Sequence, residues 1–198
     1  IEWEAVYAFG SQCGVDKMEA IIYASQLCDE FGIDNMTAGV TIGFAMECFE
    51  KGLIGFKDTD GIDLRFGNDA AMISALKKLV KLEGFGKQLA KGTKQLSEEI
   101  RGSESFSMHA KGMEFGGYEC RGFNGQALQF AVSTRGGCHH AYGLPARIET
   151  HDGTRLNLDG KAEQVKNAAI GRMLCDSLII CSFPGQMYTR DLLAEALS

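Results

Sequence analysis

Two short segments of the chain share a pattern of residues that could bind a ligand containing ring N–H groups. Asp29–Asp34 and Asp176–Cys181 each begin with an aspartate, pass through an apolar residue and end in a polar side chain or a soft metal ligand. Each follows the end of an apolar helix pattern, where an aspartate can accept hydrogen bonds from such N–H groups. On spacing alone, aspartates at helix ends are usually structural, so an aspartate that only stabilises the end of its helix is the favoured interpretation until further motifs are considered.

The cysteines and histidines suggest other chemistry. Seven cysteines, an odd number without regular spacing, favour a reducing compartment over a disulfide framework. Cys138, His139 and His140 are adjacent, so a zinc-stabilised helical binding module is one interpretation. No C-x-x-C or H-x-x-x-H pair accompanies them, which weakens it. A catalytically silent helical scaffold is a further alternative.

Helix signals cover most of the first half of the chain. Capping residues, apolar periodicity and terminating glycines predict four helices there, the first two forming an antiparallel pair. Asp16 is predicted to cap the first helix and Gly32 to end it. The predicted helices cover 16–32, 35–52, 68–84 and 86–99, and a short extended segment covers 62–66.

The second half begins after a polar, aperiodic stretch, Gly102–Ser107, which predicts a domain boundary. Eight glycines between Gly112 and Gly143 indicate tight turns or close approach of backbone to a ligand. Helices are predicted over 126–133, 161–174 and 189–197. We therefore expect an all-α, mostly helical fold with at most short strands, built from two truncated multihelical domains, 1–107 and 108–198.

Composition excludes several classes of protein. With 45% hydrophobic and 23% charged residues, the chain is typical of a globular protein that is neither disordered nor membrane-spanning. A net charge of −6 and a pI near 5.3 argue against a nucleic-acid surface.

Five motifs in register resemble the tungsten-containing aldehyde:ferredoxin oxidoreductase family over nearly the whole chain. Ile179, Gly116–Gly117 and Glu119–Cys120 depart from the family pattern, which has a glycine, a proline with its neighbour, and Asp-Pro at these places. The motifs are Gly10–Gly14 with the helix after it, Glu47–Ile54, Lys111–Glu114 with Tyr118 and Arg121–Gly122, Arg135–His139, and the paired segments that begin at Asp29 and Asp176.

The resemblance implies a cofactor site. In this family the paired segments, one in each helical domain, bind the two pterins of a tungsten cofactor. The resemblance also implies that Cys181 is the fourth ligand of a 4Fe-4S cluster, with a buried free thiol as the alternative. The residues it assigns to the pterins are Asp29, Gly32, Ile33, Asp34, Arg135, Asp176 and Ile180.

Three further residues receive roles from the same resemblance. Glu4 and His139 match the acidic residue and the histidine that the family places near the metal, and both side chains can transfer protons. Cys13 resembles the tungsten-ligating cysteine of related enzymes that reduce aryl-coenzyme A thioesters, and a packed structural cysteine is the alternative.

We therefore expect a fragment of a cytoplasmic oxidoreductase with a tungsten bis-pterin and one 4Fe-4S cluster. It would oxidise aldehydes with ferredoxin or an electron-transfer subunit as acceptor, or reduce an aryl thioester. Nucleic-acid and membrane partners are not expected, and a homodimer is compatible with the sequence. The other three cluster cysteines are expected upstream of Ile1, so the isolated fragment is expected to bind no cofactor and to be inactive.

Overall fold

The computed structural model describes residues 1–185 and 188–198 and confirms the mostly helical fold. Within those residues the strands form one two-stranded hairpin. The elements are α1 (Trp3–Ala5), a π-helix (Val6–Gly10), a 3-10 helix (Ser11–Cys13), α2 (Met18–Phe31), α3 (Asn35–Glu50), α4 (Asp69–Lys81), α5 (Gly86–Leu89), α6 (Gly92–Glu99), a 3-10 helix (Glu104–Phe106), β1 (His109–Ala110), β2 (Met113–Glu114), α7 (Asn124–Val132), α8 (Pro145–Asp152), α9 (Lys161–Ser177), α10 (Ser182–Gly185) and α11 (Arg190–Leu197).

The chain divides into two compact units. The first unit comprises Ile1–Gly117 and Arg135–Cys138, and the second comprises Tyr118–Thr134 and His139–Ser198. The domain division after residue 107 stays a prediction. No described helix has both the length and the apolar character needed to span a membrane.

The first unit is built around α3, which is buried on all sides from Ala38 to Met46. A helix in this position requires close approach of its neighbours, and two glycines on α3 permit it. A Cβ atom at Gly39 would lie 2.6 Å from the Ala8 carbonyl carbon, and one at Gly43 would lie 3.0 Å from the Gln12 carbonyl oxygen. The segment that carries Glu4 and Cys13 therefore packs directly on the α3 backbone.

Several predicted helix boundaries are confirmed and others are wrong. Asp34 and Asn68 accept hydrogen bonds at the starts of α3 and α4, as N-caps do. The Asp16 cap is wrong, because α2 begins at Met18 after Lys17. The predicted helix over 86–99 is two helices, since Gly92 has a left-handed φ of +78°. Residues 62–66 lie in turns and irregular backbone rather than in a strand.

The β1–β2 hairpin anchors one end of the first unit. Lys111 and Gly112 both have positive φ, as a two-residue type I′ turn requires. Glu114, on β2, is buried and accepts a hydrogen bond of 2.7 Å from the backbone N–H of Thr93. It thereby satisfies a free N–H group in the first turn of α6.

The second unit has a polar interior. Glu149 accepts hydrogen bonds from the backbone N–H groups of Gly125 (2.7 Å) and Gln126 (3.3 Å) at the start of α7. It also forms a 2.7 Å ion pair with Lys161, and the two side chains are 0% and 6% exposed. The Nζ atom of Lys161 also donates hydrogen bonds to the side chains of Thr154 and Gln164. The buried ammonium group therefore has an acceptor for each of its N–H bonds.

Candidate cofactor-binding site

The first predicted pterin segment is the end of α2. The N–H of Ile33 donates to the carbonyl of Cys28 (2.9 Å), and the N–H of Gly32 donates to the carbonyl of Asp29 (3.4 Å). Together with the left-handed φ of +67° at Gly32, these bonds form a Schellman helix end. A Cβ atom at Gly32 would have no neighbour within 4 Å, so the backbone there is open to a ligand.

Two carboxylates flank this helix end and are used differently. Asp34 is the N-cap of α3 and accepts a 2.7 Å hydrogen bond from the N–H of Thr37. Asp29 is exposed, and its carboxylate forms no hydrogen bond or ion pair with any side chain or backbone group that the structure describes. Beneath them, burial raises the pKa of the Cys28 thiol to about 12, and the charges of Asp29 and Asp34 add to the increase. Cys28 is therefore a neutral packing group.

The second predicted segment is the end of α9, and it repeats the backbone geometry of the first. The N–H of Ile180 donates to the carbonyl of Cys175 (2.9 Å), and the N–H of Ile179 donates to the carbonyl of Asp176 (3.2 Å). Ile179 occupies the place of Gly32 and has a left-handed φ of +57°. Its side chain is 95% exposed. A β-branched residue in this conformation is strained.

An arginine that the sequence analysis did not consider holds the aspartate of this second segment. The Nη2 atom of Arg172 lies 2.8 Å from Oδ1 of Asp176, one helical turn further along α9. The Nη1 atom of Arg172 lies 3.5 Å from Nδ1 of His140. The spacing of four residues on one helix is a signal from which the ion pair could have been predicted.

His139, the predicted catalytic histidine, is buried in the second unit at 3% exposure. Its ring centroid lies 5.2 Å from that of Tyr118 and 4.0 Å from that of His140. The stack fixes the plane of the imidazole, and Arg172 links its neighbour His140 to Asp176. Within the second unit, the contacts of His140 and Arg172 thus connect His139 to Asp176 at the end of α9.

The first unit carries Glu4, Cys13 and Arg135. Glu4 is half-buried in α1. The Sγ atom of Cys13 donates to the carbonyls of Ala8 (3.3 Å) and Gly39 (3.5 Å), and burial raises the pKa of the thiol to about 12. Metal ligation requires a thiolate, so this environment favours a structural cysteine, and a tungsten–Cys13 bond stays a prediction without support.

Arg135 lies where the backbone approaches the hairpin most closely. A Cβ atom at Gly137 would lie 2.5 Å from the Met113 carbonyl oxygen, and one at Gly136 would collide with the Ala110 carbonyl. The guanidinium of Arg135 is exposed, and its Nη1 atom lies 3.8 Å from the Sγ atom of Cys138. The two glycines therefore fix the position from which Arg135 projects.

Cys181, the predicted cluster ligand, is exposed and immediately precedes α10. Cys181 follows Asp176 in the sequence at the same spacing at which Asp34 follows Asp29. All seven cysteines are free thiols. In the part of the chain that the structure describes, no cysteine belongs to a group of three or more potential metal ligands, so a Cys-based zinc site has no support there.

The donor set fits a pterin at each helix end. A pterin ring presents N–H donors, and each helix presents an exposed aspartate in its last turn, just before a Schellman end. Ile33 and Ile180 donate their N–H groups to the helix, so these N–H groups are not available to a ligand.

The chain belongs to the aldehyde ferredoxin oxidoreductase family. Residues 1–198 match the family model described as "Aldehyde ferredoxin oxidoreductase, domains 2 & 3", which confirms the resemblance that the motifs indicate. The tungsten-containing aldehyde ferredoxin oxidoreductase of Pyrococcus furiosus is 34% identical over 99% of this chain and 34% of its own length. That of Pyrococcus abyssi is 36% identical over 76% of the chain and 26% of its own length.

A relative named for another activity also matches. The aliphatic sulfonate oxidoreductase, WOR-like subunit, of Pyrococcus furiosus is 32% identical over 74% of the chain and 24% of its own length. The chain thus spans between about a quarter and a third of the curated relatives it matches.

Proposed function

We propose that this chain is part of a tungsten-pterin iron–sulfur oxidoreductase that oxidises aldehydes to carboxylic acids, with ferredoxin as the electron acceptor. Membership of the family and the names of the relatives support the class of enzyme, a tungsten-containing oxidoreductase. The observation that carries the proposal is an exposed aspartate at the same position of two helix ends, Asp29 on α2 and Asp176 on α9. The hydrogen bonds alone do not single out these ends, since α3 and α4 close with the same pair and carry no aspartate at that position.

The residues of the chain would act as follows. The carboxylates of Asp29 and Asp176 accept hydrogen bonds from ring N–H groups, one pterin at each helix end. Gly32 lets the ligand approach the first helix end without obstruction. The guanidinium of Arg135 offers a fixed positive charge to anionic parts of the cofactor. When bound, the tungsten cofactor supplies the redox chemistry, and the cluster at Cys181 passes electrons singly.

Proton transfer would fall to Glu4 and His139. Conversion of an aldehyde and water to a carboxylic acid releases two protons and two electrons, and the electrons pass to the acceptor. A carboxylate oxygen of Glu4 and a ring nitrogen of His139 are groups that can accept these protons. The tilted stack on Tyr118 and His140 keeps the His139 ring in one orientation, which proton transfer from a bound substrate requires.

The test is a substrate panel on the full-length protein, produced without oxygen in medium containing tungstate. Aldehydes should reduce ferredoxin, or a viologen dye in its place, and yield the matching acids. The His139→Gln variant should lower turnover strongly while tungsten content stays unchanged. If the enzyme reacts only with aryl-coenzyme A thioesters or aliphatic sulfonates, the proposed aldehyde substrate is wrong and that class is the substrate. Stoichiometric zinc without tungsten would overturn the proposal.

A further inference from the structure

The two helix ends differ in what holds their aspartates. On α9, Arg172 lies four residues before Asp176, and its guanidinium forms an ion pair with Oδ1 at 2.8 Å. On α2, the residue four places before Asp29 is Ser25, which is buried and uncharged. Asp29 has no ion pair with any cationic side chain that the structure describes. The same backbone geometry therefore presents one aspartate with a cationic neighbour and one without.

The side chain of Arg172 is itself held in place. It is only 20% exposed, compared with 48% for the Asp176 side chain. A second nitrogen, Nη1, lies 3.5 Å from Nδ1 of His140. Because a guanidinium can only donate, this contact suits a His140 whose Nδ1 carries no proton. The fork of Arg172 thus joins Asp176 to the pair of stacked histidines, His139 and His140.

We propose that Arg172 is the positioning residue of the second pterin-binding helix end, an inference that rests on the proposed function. Its guanidinium engages Oδ1 of Asp176, and no described residue donates a hydrogen bond to Oδ2. Oδ2 is then the acceptor for a ring N–H of the cofactor. Arg172 also fixes the histidine pair against the same helix end, so one side chain aligns the cofactor acceptor with the predicted proton-transfer residue.

The test uses the full-length enzyme with Arg172→Gln, Arg172→Lys and a matched control, Lys166→Gln. Lys166 lies on the same helix and pairs with Glu163 at 2.8 Å, but both side chains are more than half exposed. Tungsten and pterin content per chain are measured by mass spectrometry, and the tungsten(V) signal by electron paramagnetic resonance. Arg172→Gln should lower cofactor content about 10-fold or more, as loss of an orienting partner usually does.

The variants separate positioning from mere stabilisation. Arg172→Lys should recover part of the cofactor content, because it keeps the charge but loses the fork, and Lys166→Gln should match the parent protein. In the Asp176→Asn background, Arg172→Gln should cause no further loss, since the interaction is already gone. An equal loss in both backgrounds would mean that Arg172 only stabilises α9, and would overturn the inference.

The two proposals fail differently. If Asp176→Asn loses cofactor while Arg172→Gln retains it with an unchanged tungsten(V) signal, the positioning role is wrong and the proposed function stands. If both variants retain the cofactor in full, the second helix end does not bind it, and both proposals are wrong for this segment.

Discussion

The ends of α2 and α9 present the same short sequence on two differently built supports. Both helices end in Leu-Cys-Asp, at Leu27–Asp29 and at Leu174–Asp176, and both close with the same pair of backbone hydrogen bonds. The first lies on an apolar core, in which Cys28 and Leu27 are buried. The second lies in a unit whose buried residues include Gln126, Gln129, Glu149 and Lys161.

The comparison separates local from long-range causes. The backbone of a helix end is set by residues within one turn, so two unrelated supports yield the same hydrogen bonds. The environment of the carboxylate is set by what packs around it. Asp29 lies above a neutral, buried thiol, whereas Asp176 is paired with Arg172. The same motif can therefore hold its ligand with different strength at its two sites.

The largest effect is expected from removing the ion pair in the second unit. Lys161→Met would leave Glu149 as a buried charge without a cation, which typically costs about 3–5 kcal/mol. Hydrogen–deuterium exchange of the full-length protein, read by mass spectrometry, should show faster opening of α7 and α9. Exchange in α3 should change little, because its support is apolar.

Two controls sharpen this result. Lys166→Met removes an exposed ion pair on the same helix and should have little effect on stability, because solvent screens this pair. Adding Glu149→Gln to Lys161→Met should recover much of the loss, because the unpaired charge is gone. If Lys161→Met increases the hydrogen–deuterium exchange of both units equally, the claim that the two helix ends are stabilised by separate sets of contacts is wrong.

A smaller effect, of opposite sign at the two helix ends, is expected from exchanging Gly32 and Ile179. Gly32→Ile places a β-branched residue at φ +67° and should cost roughly 1–2 kcal/mol. Ile179→Gly relieves the same strain and should stabilise the end of α9 by up to about 1 kcal/mol. Exchange rates of the amides at 33 and 180 measure both changes locally.

Gly171→Ile is the control for this pair. Gly171 is helical, without positive φ, and a Cβ atom there would have no neighbour within 4 Å. The added side chain should therefore cause no strain. If Ile179→Gly weakens its helix end instead, the Ile179 side chain makes a stabilising contact in the full-length protein.

The smallest effect is a loss of stability at alkaline pH, which should be larger in the first unit than in the second, where burial also raises the pKa of the half-buried Cys120 thiol. Burial raises the pKa of Cys13, Cys28 and Cys48 from 9.0 to about 12. Folding therefore keeps these thiols protonated, and stability falls as the pH rises from about 9 towards 12. Between pH 8 and 9 each thiol should cost about 0.3 kcal/mol.

This loss is measured by unfolding the full-length protein in urea, with the alkylation of Cys48 as the signal that reports how much of the first unit is unfolded. The Cys28→Ala variant should show a weaker dependence on pH than the parent protein, since one raised pKa is gone. An unchanged pH dependence would show that the Cys28 thiol ionises as easily in the folded state as in the unfolded state.

The sequence predicts the helical fold and the two helix ends because both depend on local signals. Gly32 marks the first end, and Asn35 and Asn68 mark helix starts that the structure confirms. The hairpin at Lys111–Gly112 was missed, since lysine is not typical of a type I′ turn. The pair of Glu149 and Lys161 was missed because its contacts reach from residue 125 to residue 164, and no local pattern reports such contacts.

The most direct test of the central claim measures cofactor content in Asp29→Asn and Asp176→Asn variants of the full-length enzyme. Glu30→Gln and Glu163→Gln are the controls, because each removes an exposed carboxylate from the same helix. We predict that both aspartate variants bind much less pterin and tungsten, and that both controls match the parent protein. Full cofactor content in both aspartate variants would show that the repeated helix ends only stabilise the chain, and would contradict the proposed site.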